Sequence, residues 1–367
     1  MKKLLIYGAG AIGRGYLPRV FRSSKFEYYF VEINPTIRDL LNKQKSYTSY
    51  MTVSGQYIIE KIPVQACFDL GQESHLINEV SAILVAVGPR NFMKLQGTFN
   101  HTHVPIISFE NDSSLPILMR HATGNKNIVF GIPDVITSNT APKKFLSQDP
   151  LSIVTENGKC FVDKRVKKIG GDCHYLGTKE LEEQWLAKLF IHNTPHCITA
   201  YFGNLLKVKY IHEAMQHKKV AAIIRGVMQE MEQMLLNKYQ LKSDFLQYYS
   251  KKELQRFSNV LLHDPISRVA REPFRKLAPN ERLIGAAQLC LSAGIIPQNL
   301  LKGIMAAFCF ENTDDPDFHI KHLVGALSPE EFLRIIICLR PHEALYKILI
   351  ERWKNNLMLI REIKNEK

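Results

Sequence analysis

Three side chains with complementary chemistry stand close together near the middle of the chain. They are Lys188, Asn193 and His196, in the string Lys188-Leu-Phe-Ile-His-Asn193-Thr-Pro-His196. At about 100° per residue they fall within roughly 140° of one helical face. Lysine is a base when burial lowers its pKa towards neutrality. Asparagine is a neutral donor for an oxygen that gathers negative charge, and histidine orients a hydroxyl without a metal. Removing hydride from a secondary alcohol needs a base, an oxyanion donor and a group that fixes the substrate. The set suits that chemistry. The spacing alone suits a polar helix surface better.

Hydride needs an acceptor, and the first residues supply a place for one. Gly8-Ala9-Gly10-Ala11-Ile12-Gly13 follows the apolar run Lys3–Tyr7 and opens a helix-compatible stretch. In that setting a G-x-G-x-x-G is a dinucleotide-binding turn. Gly8 permits the tight turn, Gly10 lets backbone approach a pyrophosphate, and Gly13 lets helix and strand pack closely. Ala11 and Ile12 offer helix N-terminal N–H groups to the phosphates. Glu32 ends the next apolar run, where a carboxylate accepts from the adenosine ribose hydroxyls and repels a 2′-phosphate, favouring NAD over NADP. A flavin, or a purely structural glycine turn, is the competing reading. Ala86-Val87-Gly88-Pro89 ends another apolar run and is expected to line the same crevice, with Gly88 and Pro89 beside the cofactor.

Around these residues the elements alternate. Near-continuous apolar runs at 3–7, 28–33, 82–87, 104–109 and 127–132 read as strands of a parallel sheet covered on both faces. The stretches 37–45 and 113–121 read as helices between them, and 152–162 as one further strand-like stretch. From about Thr178 long amphipathic segments take over, at 179–206, 210–238, 250–262, 281–293, 297–310, 329–338 and 341–362. The fold class is therefore α/β: a Rossmann-type doubly wound sheet over 1–180, then an all-α domain over 181–367.

The chain of 367 residues carries a formal net charge of +13. Nucleic acid, an anionic membrane surface and a small anionic substrate all satisfy such an excess. Lys164, Arg165, Lys167 and Lys168 read as a solvated face. No aromatic interleaving or DNA-binding motif accompanies the cations, and no apolar run reaches the roughly 18 residues of a membrane span. The expected partner is a small anion, bound by a monomer or small homo-oligomer, with neither nucleic acid nor membrane. Seven cysteines at irregular spacing, without C-x-x-C, argue for a reducing cytoplasm and against a disulfide framework or a zinc site. His212-Glu213 and His217 lack the H-E-x-x-H spacing that puts two ligands on one face, so no metal is expected. His192 faces away from Lys188 and reads as structural. Met228, Met231 and Met234 read as a core stripe.

Lys188-x4-Asn193-x2-His196 resembles the K-x4-N-x2-H signature of the polyol-specific long-chain dehydrogenases, the mannitol dehydrogenase family. The likeness extends through Tyr7–Gly15, Ala86–Pro89, Glu110-Asn111, Val162–Lys164, Lys188–Tyr201, Arg268–Leu277 and Glu281–Ile284. It implies Lys188 as general base, Asn193 and Asn111 as oxyanion donors, and His196 as the group that binds the reacting hydroxyl, all without metal. Its phosphate-specific branch implies a hexitol phosphate and a ketose phosphate as substrates, mannitol 1-phosphate and fructose 6-phosphate foremost. A hexuronate or an unphosphorylated polyol is the alternative. Arg268, Arg271, Arg275 and Lys276, in a stretch broken by Pro273 and Pro279, are the candidate phosphate ligands, because guanidinium binds a dianion bidentately. A salt-bridged surface is the other reading of that stretch. The chain departs from the family pattern in two respects: Val135 stands where an arginine is usual, and Trp185, Leu186 and Ala187 precede the lysine where an acidic residue is common two or three positions before it.

Overall fold

The computed structural model describes residues 2–22, 25–100, 102–166 and 168–366. Lys167 of the first basic cluster lies outside the described residues. Lys164, Arg165 and Lys168 are exposed, as expected of a solvated face. The chain divides into two compact units: Met1–Trp185 with Leu261–His263, and Leu186–Val260 with Asp264–Lys367. The expected boundary at 180/181 lies inside the helix Thr178–Ala187, and the division falls near that helix's end.

The first unit holds strands β1 (Lys2–Tyr7), β2 (Phe26–Val31), β3 (Ser46–Val53), β4 (Gln56–Pro63), β5 (Ala66–Phe68), β6 (Ala82–Val85), β7 (Ile106–Ser108), β8 (Ile128–Asp134), β9 (Ile153–Glu156), β10 (Lys159–Asp163) and β11 (Cys173–Leu176). The large sheet runs β11-β10-β8-β7-β6-β1-β2-β5. Strands β5, β2, β1, β6, β7 and β8 are mutually parallel, and β10 pairs with β8 in the antiparallel sense. Counted in chain order, the six parallel strands lie 3-2-1-4-5-6, the Rossmann order, which reverses between β1 and β6. Alternation along β1 explains why both faces are covered. Leu4 and Ile6 pack with Leu17 and Phe21 in one core, while Leu5 and Tyr7 pack with Phe92 and Phe99 in the other. Each such side chain contributes about 1.5–3 kcal/mol by leaving water.

The structure also holds strands that the apolar runs do not mark. β3 and β4 form a hairpin closed at Ser54-Gly55, and β9 joins β3 to give a second sheet, β4-β3-β9. The stretch 152–162 is thus not one strand but two, β9 and β10, in different sheets. Asn157-Gly158 turns the chain between them, and a Cβ on Gly158 would meet Asp134 O at 2.4 Å.

Helices make up the second unit. Its longest are Lys218–Tyr239 and Ala344–Asn365. Met228, Met231 and Met234 are buried beside Ile224, Val227 and Leu235, a core stripe as expected. The segment 210–238 is two helices, because His217 leaves helical geometry and caps the second by accepting from Val220 N. Among the described residues no group of three or more His, Cys, Asp or Glu side chains is placed to hold a metal ion. Among the described residues no helix is long and apolar enough to cross a membrane.

Candidate active site

The glycine turn sits where the strand order reverses. Gly8 follows β1 at φ +89°, and a Cβ there would meet Ala86 O, just past β6, at 2.4 Å. Gly13 lies against the turn itself: its Cβ would stand 1.8 Å from Gly8 O. Gly10 differs, with open space on every side of its missing Cβ. So two glycines are required by packing, and the third leaves backbone bare towards a ligand. Gly10 precedes the short helix Ala11–Gly15, which no side chain caps, so Ala11 and Ile12 carry N–H groups of its first turn.

A cleft of about 390 Å³ opens there. Gly8, Gly10, Glu32, Ala86 and Val87 line it. Ala11, Ile12, Gly13, Gly88 and Pro89 do not; Gly88 and Pro89 instead begin the helix Pro89–Phe92. The Glu32 carboxylate accepts from Ala9 N at 2.8 Å and from Asn34 N at 2.9 Å, so its oxygens are held at the turn's mouth.

Sequence reasoning missed several members of this cleft. Ile33 and Leu70 line it with 68% and 47% of their surface exposed. Two exposed apolar side chains beside a ribose-binding carboxylate suit a flat aromatic base. Lys94 adds a cation, held by Asn91 Oδ1 at 2.9 Å. The position after Glu32 and the apolar Leu70 were the available signals. Together the open Gly10 backbone, the Glu32 carboxylate, the apolar pair and Lys94 fit the parts of a dinucleotide.

Asn111 follows Glu110 just beyond β7. Glu110 is buried and accepts from Val87 N at 2.7 Å and Gly88 N at 3.1 Å, which ties the end of β7 to the turn after β6. Burial raises its carboxyl to about 7, against those two donors. Val135 belongs to the apolar core of the same unit.

In the second unit Lys188, Asn193 and His196 are all buried, at 6%, 8% and 7% exposure. The helix there is not the regular one the spacing implies. Lys188–Asn193 is a π-helical stretch, followed by the α-helix Thr194–Leu206. Pro195 explains the change: it has no N–H for the carbonyl four residues back, and its ring clashes with that carbonyl in regular geometry. Thr194 N instead bonds Leu189 O, five residues back, and Thr194 Oγ1 also donates to it at 3.2 Å. Five-residue closure brings Lys188 and Asn193 nearer to one face than regular helical geometry does.

His196 is fixed on several sides. Its Nε2 lies 2.8 Å from Asp264 Oδ2, and Phe257 stacks on its ring at 5.0 Å and 11°. Asp264 Oδ1 accepts from Arg268 Nη2 at 2.5 Å. Burial alone would raise the Asp264 carboxyl, but Arg268 and His196 hold it down, to about 2. His192, as expected of a structural residue, is bound by Glu253 at 2.5 Å. Burial pushes His192 down to about 4 even so.

The four candidate phosphate ligands have unequal freedom. Arg268 is engaged by Asp264, and Arg275 by Glu272 at 2.8 Å and Glu281 at 3.7 Å. Lys276 is buried and donates to Val269 O and Arg271 O at 2.5 Å each, and burial pushes it down to about 7. Arg271 is exposed and makes no ion pair among the described residues.

Comparison with known proteins covers both units. The family model described as the mannitol dehydrogenase Rossmann domain matches residues 2–111, and that of the mannitol dehydrogenase C-terminal domain matches 181–321. A mannitol-1-phosphate 5-dehydrogenase of Bacillus velezensis is 31% identical over 95% of this chain and 98% of its own. That of Thermoanaerobacter pseudethanolicus is 30% identical over 86% of this chain and 88% of its own. Among solved structures, Pseudomonas fluorescens mannitol 2-dehydrogenase, in ternary complex with NAD and D-mannitol, superposes with a TM-score of 0.73. It covers 100% of this chain and 95% of its own at 13% identity, a likeness of fold. A substrate-free D-sorbitol dehydrogenase has a TM-score of 0.68 over 98% of this chain and 94% of its own, at 12% identity. The chain belongs to the mannitol dehydrogenase family.

Proposed function

We propose that this NAD-dependent polyol dehydrogenase interconverts a hexitol phosphate and a ketose phosphate, mannitol 1-phosphate and fructose 6-phosphate, in the cytoplasm. The observation that carries the reading is the joint burial of Lys188 and Asn193, on one π-helical turn, with His196, on the α-helix that continues it. Burying a lysine, an amide and an imidazole together is costly for a merely structural helix face and useful for one that handles a proton.

NAD, when bound, accepts the hydride from the carbinol carbon. The chain's own residues do the rest. Lys188 Nζ takes the hydroxyl proton as the carbon–oxygen double bond forms, and returns it in ketose reduction. Asn193 donates to the oxygen while it carries negative charge, and Asn111 of the first unit is assigned the same duty. His196 holds the reacting hydroxyl. Proton transfer by a positioned side chain accounts for about 10²–10⁴-fold of rate.

Arg271 supports a phosphate on the substrate, since its guanidinium has no carboxylate partner among the described residues. The activity for which the Bacillus and Thermoanaerobacter relatives are named supports the same branch. The alternative is an unphosphorylated polyol or a hexuronate. It draws on Arg268, Arg275 and Lys276, whose cations already have partners within the protein.

Purified chain is mixed with NADH or NADPH and a panel of fructose 6-phosphate, fructose and hexuronates, and nicotinamide absorbance is followed. Oxidation of NADH by fructose 6-phosphate at a kcat/KM well above that for fructose is expected. Equal rates with both sugars would remove the phosphate. No oxidation with any member would remove the dehydrogenase reading.

A further inference from the structure

His196 is useful only in one protonation form at one angle, and the residue that sets both lies 68 positions away in the chain. Asp264 is almost wholly buried, at 3% exposure. Both its oxygens are used: Oδ2 faces His196 Nε2 at 2.8 Å, and Oδ1 takes Arg268 Nε at 3.0 Å and Nη2 at 2.5 Å. Its backbone is pinned as well. Asp264 O accepts from Ile211 N at 3.0 Å, and Ile266 N donates to Lys209 O at 2.9 Å. Pro265 then starts the helix Ile266–Val269, which presents Arg268 one turn on. The carboxylate therefore has a fixed position and a counter-ion of its own.

An ionised carboxylate only accepts hydrogen bonds. Facing it, His196 Nε2 must carry the proton, so a neutral ring keeps its lone pair on Nδ1. Phe257 stacked on the ring and His192 at 5.0 Å limit its rotation. His192 is itself held through Glu253, which Arg256 contacts at 2.6 Å.

We propose that Asp264, anchored by Arg268, is a positioning residue that fixes His196 as its Nε2–H tautomer, so that Nδ1 accepts from the substrate hydroxyl next to the reacting one and holds the reacting oxygen in place for Lys188. The inference rests on the assignment of His196 to the reacting hydroxyl above. It also gives Arg268 a duty other than phosphate binding. Asp264 touches no reacting atom; its whole effect passes through the imidazole.

The test is a double-mutant cycle in the full chain, with fructose 6-phosphate and NADH. Asp264→Asn replaces an obligate acceptor by a group that also donates, and so admits the wrong tautomer. It is expected to lower kcat about 10²-fold or more, as for other carboxylates that orient a histidine, with NADH affinity within twofold. His196→Ala is expected to lose a similar factor, and the double variant no more than His196→Ala alone, within about threefold. Losses that multiply would show Asp264 acting independently of His196 and overturn the proposal.

A second measurement needs no folded variant at position 264. Long-range ¹H–¹⁵N correlation of the imidazoles in the unmodified chain, with His196 assigned through His196→Asn, reads the tautomer directly. A proton on Nε2 supports the proposal, and a proton on Nδ1 overturns it. If the unmodified chain turns over no member of the sugar panel, the dehydrogenase reading falls and this role falls with it. Turnover combined with multiplying losses or an Nδ1–H ring sinks the positioning role alone.

Discussion

The cleft of the first unit and the buried cluster of the second are built from different materials. The cleft is mostly backbone: two glycines that packing forbids to carry a side chain, one glycine left open, and a carboxylate clamped to two N–H groups. The cluster is side chains held by other side chains, His196 by Asp264, Asp264 by Arg268, and His192 by Glu253. A backbone site has one shape that local sterics enforce. A side-chain site has a shape only while each partner stays in its proper charge state. The first therefore binds, and the second is suited to moving a proton.

The difference is broken most directly by one change on each side. Lys188→Ala is expected to lower kcat by about 10³-fold while NADH affinity stays within twofold, as measured by single-turnover kinetics and nicotinamide fluorescence. Full retained activity would take the base role from Lys188. Gly13→Ala puts a methyl 1.8 Å from Gly8 O, where only backbone movement relieves the clash. Overpacking of this kind costs about 1–3 kcal/mol. The variant should melt several degrees lower and bind NADH on the order of tenfold to a hundredfold more weakly. Its kcat at saturating NADH should change far less. A Gly13→Ala variant with native affinity and lowered kcat would erase the contrast.

The same contrast decides what was legible in the sequence. Gly8, Gly10, Gly13 and Glu32 could be read because each role is set by residues within one βαβ unit. The parallel strands could be read because Leu4, Leu5, Ile6 and Tyr7 are all buried, whichever face they point to. The β3–β4 hairpin could not, because β3 carries Ser46, Thr48, Ser49 and Thr52 between its aromatics and Glu60 and Lys61 interrupt β4, so neither shows a long apolar run. Ser49 is wholly buried, yet only because Arg19 hydrogen-bonds its hydroxyl and carbonyl. The π-helical turn had a visible cause, Pro195, whose meaning depends on a helix already being there. Asp264 had nearly no signal. Its spacing of four from Arg268 hints at an ion pair, but its contact with His196 exists only once the chain has folded. Glu110 stood beside Asn111 in a recognisable string, yet its tie to Val87 and Gly88 is a tertiary fact.

The two units should also answer pH with opposite signs. In the first, Glu110 is raised to about 7, so the native chain keeps a proton that the unfolded chain releases above about 4.5. The stability tied to that proton is present at low pH and is lost as pH rises through about 7. In the second, His192 is lowered to about 4, so the unfolded chain takes up a proton below its ordinary 6.5 that the native chain refuses. Its contribution is present above 6.5 and is lost as pH falls through about 4, and Asp264 follows with the same sign nearer 2. Each effect is at most roughly 3 kcal/mol. The two tryptophans serve as separate reporters, since Trp185 belongs to the first unit and Trp353 to the second. In urea at pH 5 and 7.5, Trp353→Phe, which leaves Trp185, should show a midpoint that falls as pH rises. Trp185→Phe should show one that rises. Should the units unfold as one transition, Glu110→Gln carries the test: it should stabilise at pH 7.5 and not at pH 5. Midpoints moving in parallel, with no gain from Glu110→Gln, would remove the opposition.

The smallest effect concerns the four candidate phosphate ligands, of which Arg268, Arg275 and Lys276 have partners among the described residues and Arg271 has no ion pair there. Arg271 is exposed and lacks an ion pair among the described residues, so Arg271→Ala should raise KM for fructose 6-phosphate about tenfold, the weight of one charge-assisted contact. It should leave fructose unchanged. Arg275 shares its guanidinium with Glu272 and Glu281, so Arg275→Ala should cost less. Arg268→Gln should behave differently from both. Its loss frees Asp264 and, through it, His196, so kcat should drop for phosphorylated and unphosphorylated sugar alike. If Arg268→Gln instead raised KM for the phosphate ester alone, Arg268 would be a phosphate ligand and Asp264 would hold His196 without it. If Arg271→Ala left both sugars untouched, no cation of this stretch would remain free for a phosphate, and the unphosphorylated or hexuronate substrate would be the better reading.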